Sequence, residues 1–202
     1  AGQVPLFVDE AGDSIRALRP ALVVDAILAK RNLGTRRDMA PITVALGPGF
    51  AAGRDVDAVI ETMRGHNLGR IFYQGAALPN TGVPGNIGGY TGERVIHAPA
   101  DGALTCVQDA AGQKVGIGSV VEKGQVIARV GGTPVYATLT GVLRGLIRPG
   151  YPVTKGLKIA DIDPRLAQRD NCGTISDKAR CIAGGVLEAI LHLAREREVM
   201  LF

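Results

Sequence analysis

The sequence predicts a mixed chain: an α/β unit over residues 1–92, a β-rich unit over 93–165 and a closing helix within 166–202. Three observations carry this. Short apolar runs alternate with helical stretches up to about residue 92, a Gly- and Pro-rich stretch without period fills 75–92, and an internal repeat of short β segments follows. With 202 residues the chain is long enough for one large or two small domains with a real core.

In order, residues 4–8 (VPLFV) read as a buried strand, 14–18 as a short helix stopped by Pro20, and 22–28 (LVVDAIL) as a second strand. Residues 42–46 (ITVAL) read as a third strand ending in Gly47-Pro48-Gly49. The next spacing predicts a helix. Asp55 serves as N-cap, Val56, Val59, Ile60 and Met63 fall at i, i+3, i+4 and i+7, and Gly65 stands at the C-terminal stop. Residues 71–73 begin a further strand, so the unit reads as a mostly parallel sheet with crossover helices.

The repeat sets APADGAL (98–104) against ATLTGVL (137–143) at an offset of 39, and VEKGQVIA (121–128) against VTKGLKIA (153–160) at an offset of 32. Two β-rich halves, each with a turn glycine and a Val-x-x-Gly-x-x-Ile hairpin, predict a pseudo-twofold sandwich. This pattern resembles the barrel-sandwich hybrid, or hammerhead, of biotinyl and lipoyl carrier domains. Those carry their cofactor on a Lys in the hairpin between halves. The equivalent stretch here, 130–135 (VGGTPV), has none, so a carrier role is not expected. The last segment reads as a helix packing on the α/β unit, with Thr174 and Asp177 at capping-box spacing and a stripe of Ile175, Ala179, Ile182, Val186, Ile190 and Leu193. Gly184-Gly185 interrupts it at about 1 kcal/mol each, which points to a close neighbour.

Composition excludes several classes. Glycine is abundant, 28 of 202, while aromatics are 4% without Trp, so a base-stacking platform is poorly supplied. The net charge of +4 is spread thinly over the three segments, which argues against a nucleic-acid partner. Cys106, Cys172 and Cys181 form neither a CxxC pair nor a disulfide framework, and the default compartment is the reducing cytoplasm. No apolar run reaches the roughly 18 residues of a membrane span, so no membrane association is expected. Nothing resembles a metal-binding motif, a nucleophile elbow or an obvious carboxylate pair.

Four strings are candidate sites. Lys30, Arg31 and Asn32 follow a putative parallel strand, where an open sheet binds ligands, and suit a phosphate or carboxylate. Gly47 and Gly49 form a turn that could aim backbone N–H groups at the same anion. His66 and Asn67 follow the expected helix, with His66 a proton carrier or anion donor. Cys172 precedes the last helix, with Asp177 and Lys178 at its start, as a reactive thiol or helix-start site.

Taken together, DAILAKRNLGTRRDMAP, LGPGFAAGRDVDAVIETMRGHNLGR, NTGVPGNIGGYTGERVIHAPADG, GVLRGLIRPG, IADIDPR and TISDKARCIAGGVLEAIL resemble successive blocks of the selenium-dependent molybdenum hydroxylase system proteins. The resemblance implies a cytoplasmic accessory factor for maturation of molybdenum hydroxylases. Its α/β part would be Rossmann-like, and its ligand a molybdopterin-type cofactor precursor or a nucleotide. Its partners would be a client hydroxylase or other maturation proteins, with self-association left open. Lys30, Arg31, Asn32, Gly47, Gly49, His66, Asn67, Asp177 and Lys178 lie in family-like blocks, none with an assigned catalytic role. The family's opening GGGDLATG-like phosphate loop has no counterpart here, so the chain is expected to lack a stretch of about 60 to 70 residues, two βα units in size. Two other readings stay open: a nicotinamide-dependent oxidoreductase or sulfur/selenium transferase, the latter using Cys172, and a protein-interaction module without ligand chemistry.

Overall fold

The computed structural model describes residues 2–201, which fall into two compact units, 2–81 with 176–201 and 82–175. Most regular structure is sheet. Among the described residues the one long helix lies near the C-terminus.

The first unit holds a four-stranded sheet in the order β1 (Leu22–Asp25), β2 (Ile42–Leu46), β3 (Ala58–Ile60), β4 (Ile71–Phe72), the first three parallel and β4 antiparallel to β3. Residues 4–8 form no strand and are exposed, and the helix before β1 is α1 (Asp13–Leu18), with no buried residue. The largest correction concerns residues 55–64. Where 3.6-residue spacing predicts a helix, the chain runs as β3, paired with β2 from Val44↔Ala58 to Leu46↔Ile60. The reason is burial. Val56, Ala58, Val59 and Ile60 are fully enclosed, and a strand covered on both faces is apolar without alternation, which over a few residues mimics a helical stripe.

α2 (Asp177–Glu196) packs on β2, β3 and β4, and Ile182, Ala189 and Leu193 share a core with Ile42, Val44, Ala58 and Ile60. On the other face Ala45, Val56 and Val59 meet Phe50, Ala52 and Ala77 from loops. The expected close neighbour of Gly185 is found: a Cβ there would collide with the carbonyl oxygen of Gly69. Gly184 has open space. The helix cap differs from the expected Thr174. Ser176 is the N-cap, its Oγ accepting from Ala179 N at 3.1 Å. Just past the helix, Arg197 donates to Pro41 O at 2.7 Å and to Asp57 at 2.8 Å. Asp57, whose side chain is fully buried, also accepts from Arg37 at 2.5 Å and from Thr43 N at 2.9 Å.

The second unit is built from two antiparallel sheets. One runs β5 (Val95–His97), β12 (Lys158–Asp163), β10 (Gly141–Leu146), β7 (Val120–Val121); the other runs β11 (Pro152–Val153), β6 (Gly102–Cys106), β8 (Val126–Val130), β9 (Thr133–Tyr136). The sequence repeat maps β6, β7 and β8 onto β10, β11 and β12. Each half sends its short middle strand to the other half's sheet: β7 pairs with β10, and β11 with β6. Turn hydrogen bonds repeat likewise. Gly124 N donates to Ala137 O and Gly156 N to Ala98 O, while Gly118 N donates to Leu143 O and Gly150 N to Leu104 O, all at 2.8–2.9 Å. Both halves enclose one apolar core that includes Leu104, Ile127, Leu143 and Ile162. On one sheet Asp161 binds Arg94 and Arg144, and Asp163 binds Arg165.

Candidate functional site

In a parallel sheet the chain leaves every strand at the same edge, so the loops after β1, β2 and β3 gather there. The loop after β1 begins at Asp25, which is buried and accepts from Ile27 N at 3.1 Å and Thr35 Oγ1 at 2.5 Å. Asn32 closes the loop from within, its Oδ1 accepting from Gly34 N and Thr35 N and its Nδ2 donating to Thr35 O, all at 2.8 Å. Its side chain is therefore spent on loop shape. Between these staples Leu28 and Lys30 adopt left-handed backbone at φ 59° and 64°, a conformation uncommon for such residues.

The two glycines after β2 are explained by neighbours within the chain. A Cβ at Gly49 would lie 2.6 Å from the Arg31 backbone, and one at Gly47 would lie 2.6 Å from Thr62 Oγ1. The loops after β1 and β2 thus cross backbone to backbone. That packing holds Lys30 and Arg31 over the strand ends.

After β3 comes Glu61, 1% exposed, whose carboxylate accepts from Thr62 N, Met63 N and Leu78 N at 2.7–2.9 Å. Arg64 follows and makes a two-pronged pair with Asp177 in the first turn of α2, at 2.8 and 3.0 Å. The Arg64 guanidinium holds the Asp177 carboxyl well below the usual carboxylate range. Next to it Lys178 is half-buried. Burial lowers its ammonium pKa, the charges of Lys30 and Arg64 lower it further, and Glu61 acts in the opposite sense.

The structure thus brings Lys30, Gly47, Gly49, Asp177 and Lys178 to one edge of the first unit, with the Arg31 backbone against Gly49. Neither Lys30 nor Lys178 makes a salt bridge among the described residues. His66 is exposed and Asn67 half-buried in the tight turn after Arg64, where Asn67 O accepts from Arg70 N at 2.9 Å. Cys172 belongs to the second unit, within the 3-10 segment Leu166–Gly173, its Sγ 4.0 Å from Gln168 O. No group of three or more His, Cys, Asp and Glu suited to a metal occurs among the described residues.

Glu61, Thr62 and Arg64 are the participants that the sequence reading passes over, because it places them on a helix. A signal for them exists. Residues 24–34 (VDAILAKRNLG) are echoed by 56–69 (VDAVIETMRGHNLG), although the echo sets Asp25 at the end of β1 against Asp57 just before β3, two residues out of the sheet's own register.

An open, mainly parallel sheet with a cationic cluster at its strand ends is an α/β arrangement shared by proteins of many functions, and it defines no particular reaction. No family model matches the chain, and no solved structure matches it. Over 195 residues, 96% of its length, the chain is 52% identical to a protein of Escherichia coli (strain K12) named "Uncharacterized protein YqeB". That stretch is 35% of the relative, so the chain spans about a third of the length of the curated relative it matches. No helix among the described residues is long and apolar enough to cross a membrane.

Proposed function

We propose that the first unit is a Rossmann-like anion-binding domain, the second a barrel-sandwich hybrid without a carrier Lys, and the whole an accessory factor for selenium-dependent molybdenum hydroxylases. The crossed pairing of β7 and β11 supports the hybrid reading, and the parallel order β1-β2-β3 supports the Rossmann-like one. One observation carries the function. Lys30 and Lys178 come from different elements, repel one another at the strand ends and make no salt bridge among the described residues, the Glu61 carboxylate offsetting only part of the opposing charge at Lys178. Such a pair is stabilised by an anion of two or more charges, which lifts the repulsion and gains charge-assisted hydrogen bonds. A phosphorylated pterin precursor or a nucleotide fits that chemistry, and loading it into a client hydroxylase is the proposed task.

The test is activation of a co-expressed client with the wild-type chain and with the Lys30→Ala/Lys178→Ala double variant. Loss of two charge-assisted contacts of about 1.5 kcal/mol or more each lowers activation at least tenfold in a folded variant. Unchanged activation with a folded double variant overturns the site. Activation that does not depend on the chain at all overturns the function.

A further inference from the structure

The first unit holds a polar cleft apart from the strand-end cluster. It measures about 650 Å³, within the range of small-molecule sites, and its lining includes Thr35, Arg36, Arg37 and Asp38 between β1 and β2 and Arg54 and Asp55 between β2 and β3. None of Lys30, Arg64 and Lys178 lines it. Arg37 stands ahead of β2 and Asp55 ahead of β3, whereas Lys30 follows β1.

Arginines beside aspartates often satisfy one another and leave nothing for a ligand. Here the pairing is incomplete. Arg36 Nε donates to Asp38 at 3.0 Å, Arg37 Nε to Asp57, and Arg54 Nε and Nη2 to Asp55 at 2.9 and 3.0 Å, while Arg37 Nη1 donates to Gly53 O at 3.1 Å. Among the described residues no acceptor takes Nη1 or Nη2 of Arg36, Nη2 of Arg37 or Nη1 of Arg54. Two of the three guanidiniums are anchored from behind. The Asp57 side chain is fully buried, and Asp55 also accepts from Ala51 N at 2.8 Å, so Arg37 and Arg54 are oriented before a ligand arrives. Charge is unbalanced as well: Arg36, Arg37, Arg54 and Arg197 pair with only Asp38, Asp55 and Asp57.

We infer that this cleft is a second anion site, and that it takes a phosphate monoester of a small hydroxylated molecule. Free guanidinium nitrogens from three side chains on two stretches of chain exceed what the two oxygens of a carboxylate can use, and they suit the terminal oxygens of a phosphate ester. Asp38 accepts from Arg36 through Oδ1, which leaves Oδ2 to accept from a ligand hydroxyl. No aromatic side chain lines the cleft, so a nucleobase finds no face to stack on. The inference stands independently of the strand-end reading, because neither lysine of that cluster takes part.

Isothermal titration calorimetry tests it with ribose 5-phosphate, AMP and inorganic phosphate as probes, on the wild-type chain and on Lys30→Ala/Lys178→Ala, which lacks the strand-end cations. A ribose 5-phosphate site is expected in both, preferring that ester to inorganic phosphate and gaining nothing from the base of AMP. Arg36→Gln/Arg54→Gln, folded by circular dichroism, lowers the affinity about tenfold or more through the loss of charge-assisted contacts. Should the double variant not fold, Arg36→Gln alone, at an exposed ion pair, lowers it roughly threefold or more. Binding absent at about 10 mM ester, a smaller loss in the folded arginine variant, or binding that disappears with the two lysines overturns the site. Tighter binding of AMP, or no preference over inorganic phosphate, overturns the ligand class.

Discussion

The two units solve the same problem of burying short strands in opposite ways. The second unit closes its core by symmetry: each half lends a strand to the other's sheet, and both halves share one apolar cluster. The first unit keeps an open sheet whose central β2 is almost wholly buried while β1 beside it is only partly so. Symmetry in one unit supplies self-sufficiency, and openness in the other supplies a strand-end cluster and a free edge. Function is therefore expected from the first unit, and autonomous stability from the second.

The sharpest test of that contrast lies in the cores. Leu104 and Leu143 are equivalent by the repeat and both fully buried. Leu104→Ala and Leu143→Ala should each cost about 4 kcal/mol, within about 1 kcal/mol of one another, in urea unfolding followed on the second unit. Val23→Ala in partly buried β1 should cost under about 1 kcal/mol. Unequal losses for the two leucines would break the symmetry, and a large loss at Val23 would mean that β1 is covered.

A smaller effect, about 3 kcal/mol, is expected where α2 meets the sheet of the first unit. Gly185→Val drives a side chain into the Gly69 carbonyl, and backbone on both sides leaves little room to yield. Gly184→Ala, facing open space in the same helix, should stabilise by a few tenths to about 1 kcal/mol. Thermal melts of the two variants that shift in the same direction would remove the assignment of Gly185 as the contact point.

These glycines show what the sequence discloses. A paired glycine inside an apolar helical stripe announces a close neighbour without saying which residue needs it or what the neighbour is. The repeat in the second unit was legible because its symmetry is written twice, in Gly102 against Gly141 and Gly124 against Gly156. β3 was not, because Val56, Val59 and Ile60 satisfy helical and doubly buried strand patterns equally over so short a run. Its placement depends on Asp57, a buried carboxylate whose partners Arg37 and Arg197 lie 20 and 140 residues away. The strand-end cluster was half visible for the same reason: Lys30 and Lys178 stand in readable motifs, but their approach depends on a sheet that local spacing does not specify.

Asp57 provides the next test. Burial alone would raise its pKa, but Arg197, Arg37 and Thr43 N outweigh that and hold the carboxyl below its ordinary value. A carboxyl depressed in the folded state contributes stability above its unfolded pKa, and that contribution fades as pH falls through the folded value. Asp57→Asn should cost about 2 kcal/mol near pH 7 and flatten the acid limb of the first unit's stability curve below about pH 4. An acid limb of unchanged slope in the variant would place the titrating group elsewhere, Asp163 of the second unit being the comparable depressed carboxyl, held chiefly by Arg165.

The smallest effect is the most specific to the strand-end cluster, and it carries the opposite sign. Lys178 has its pKa lowered in the folded state by burial and by Lys30 and Arg64, so its protonated form opposes folding. Stability from this group rises as pH climbs through the folded value and levels off at the ordinary lysine range. Lys30→Gln removes one of the two cations, so the variant should be slightly more stable than wild type at pH 7, by less than about 1 kcal/mol, and should gain less on going to pH 10. Lys30 also holds left-handed backbone, so Lys30→Gly combines charge removal with relief of about 1 kcal/mol of strain and should exceed Lys30→Gln by that amount. Added inorganic pyrophosphate should erase the charge part of the difference, because an anion between Lys30 and Lys178 does for wild type what the substitution does for the variant. A Lys30→Gln gain that persists unchanged in saturating pyrophosphate would separate the two lysines and dissolve the cluster.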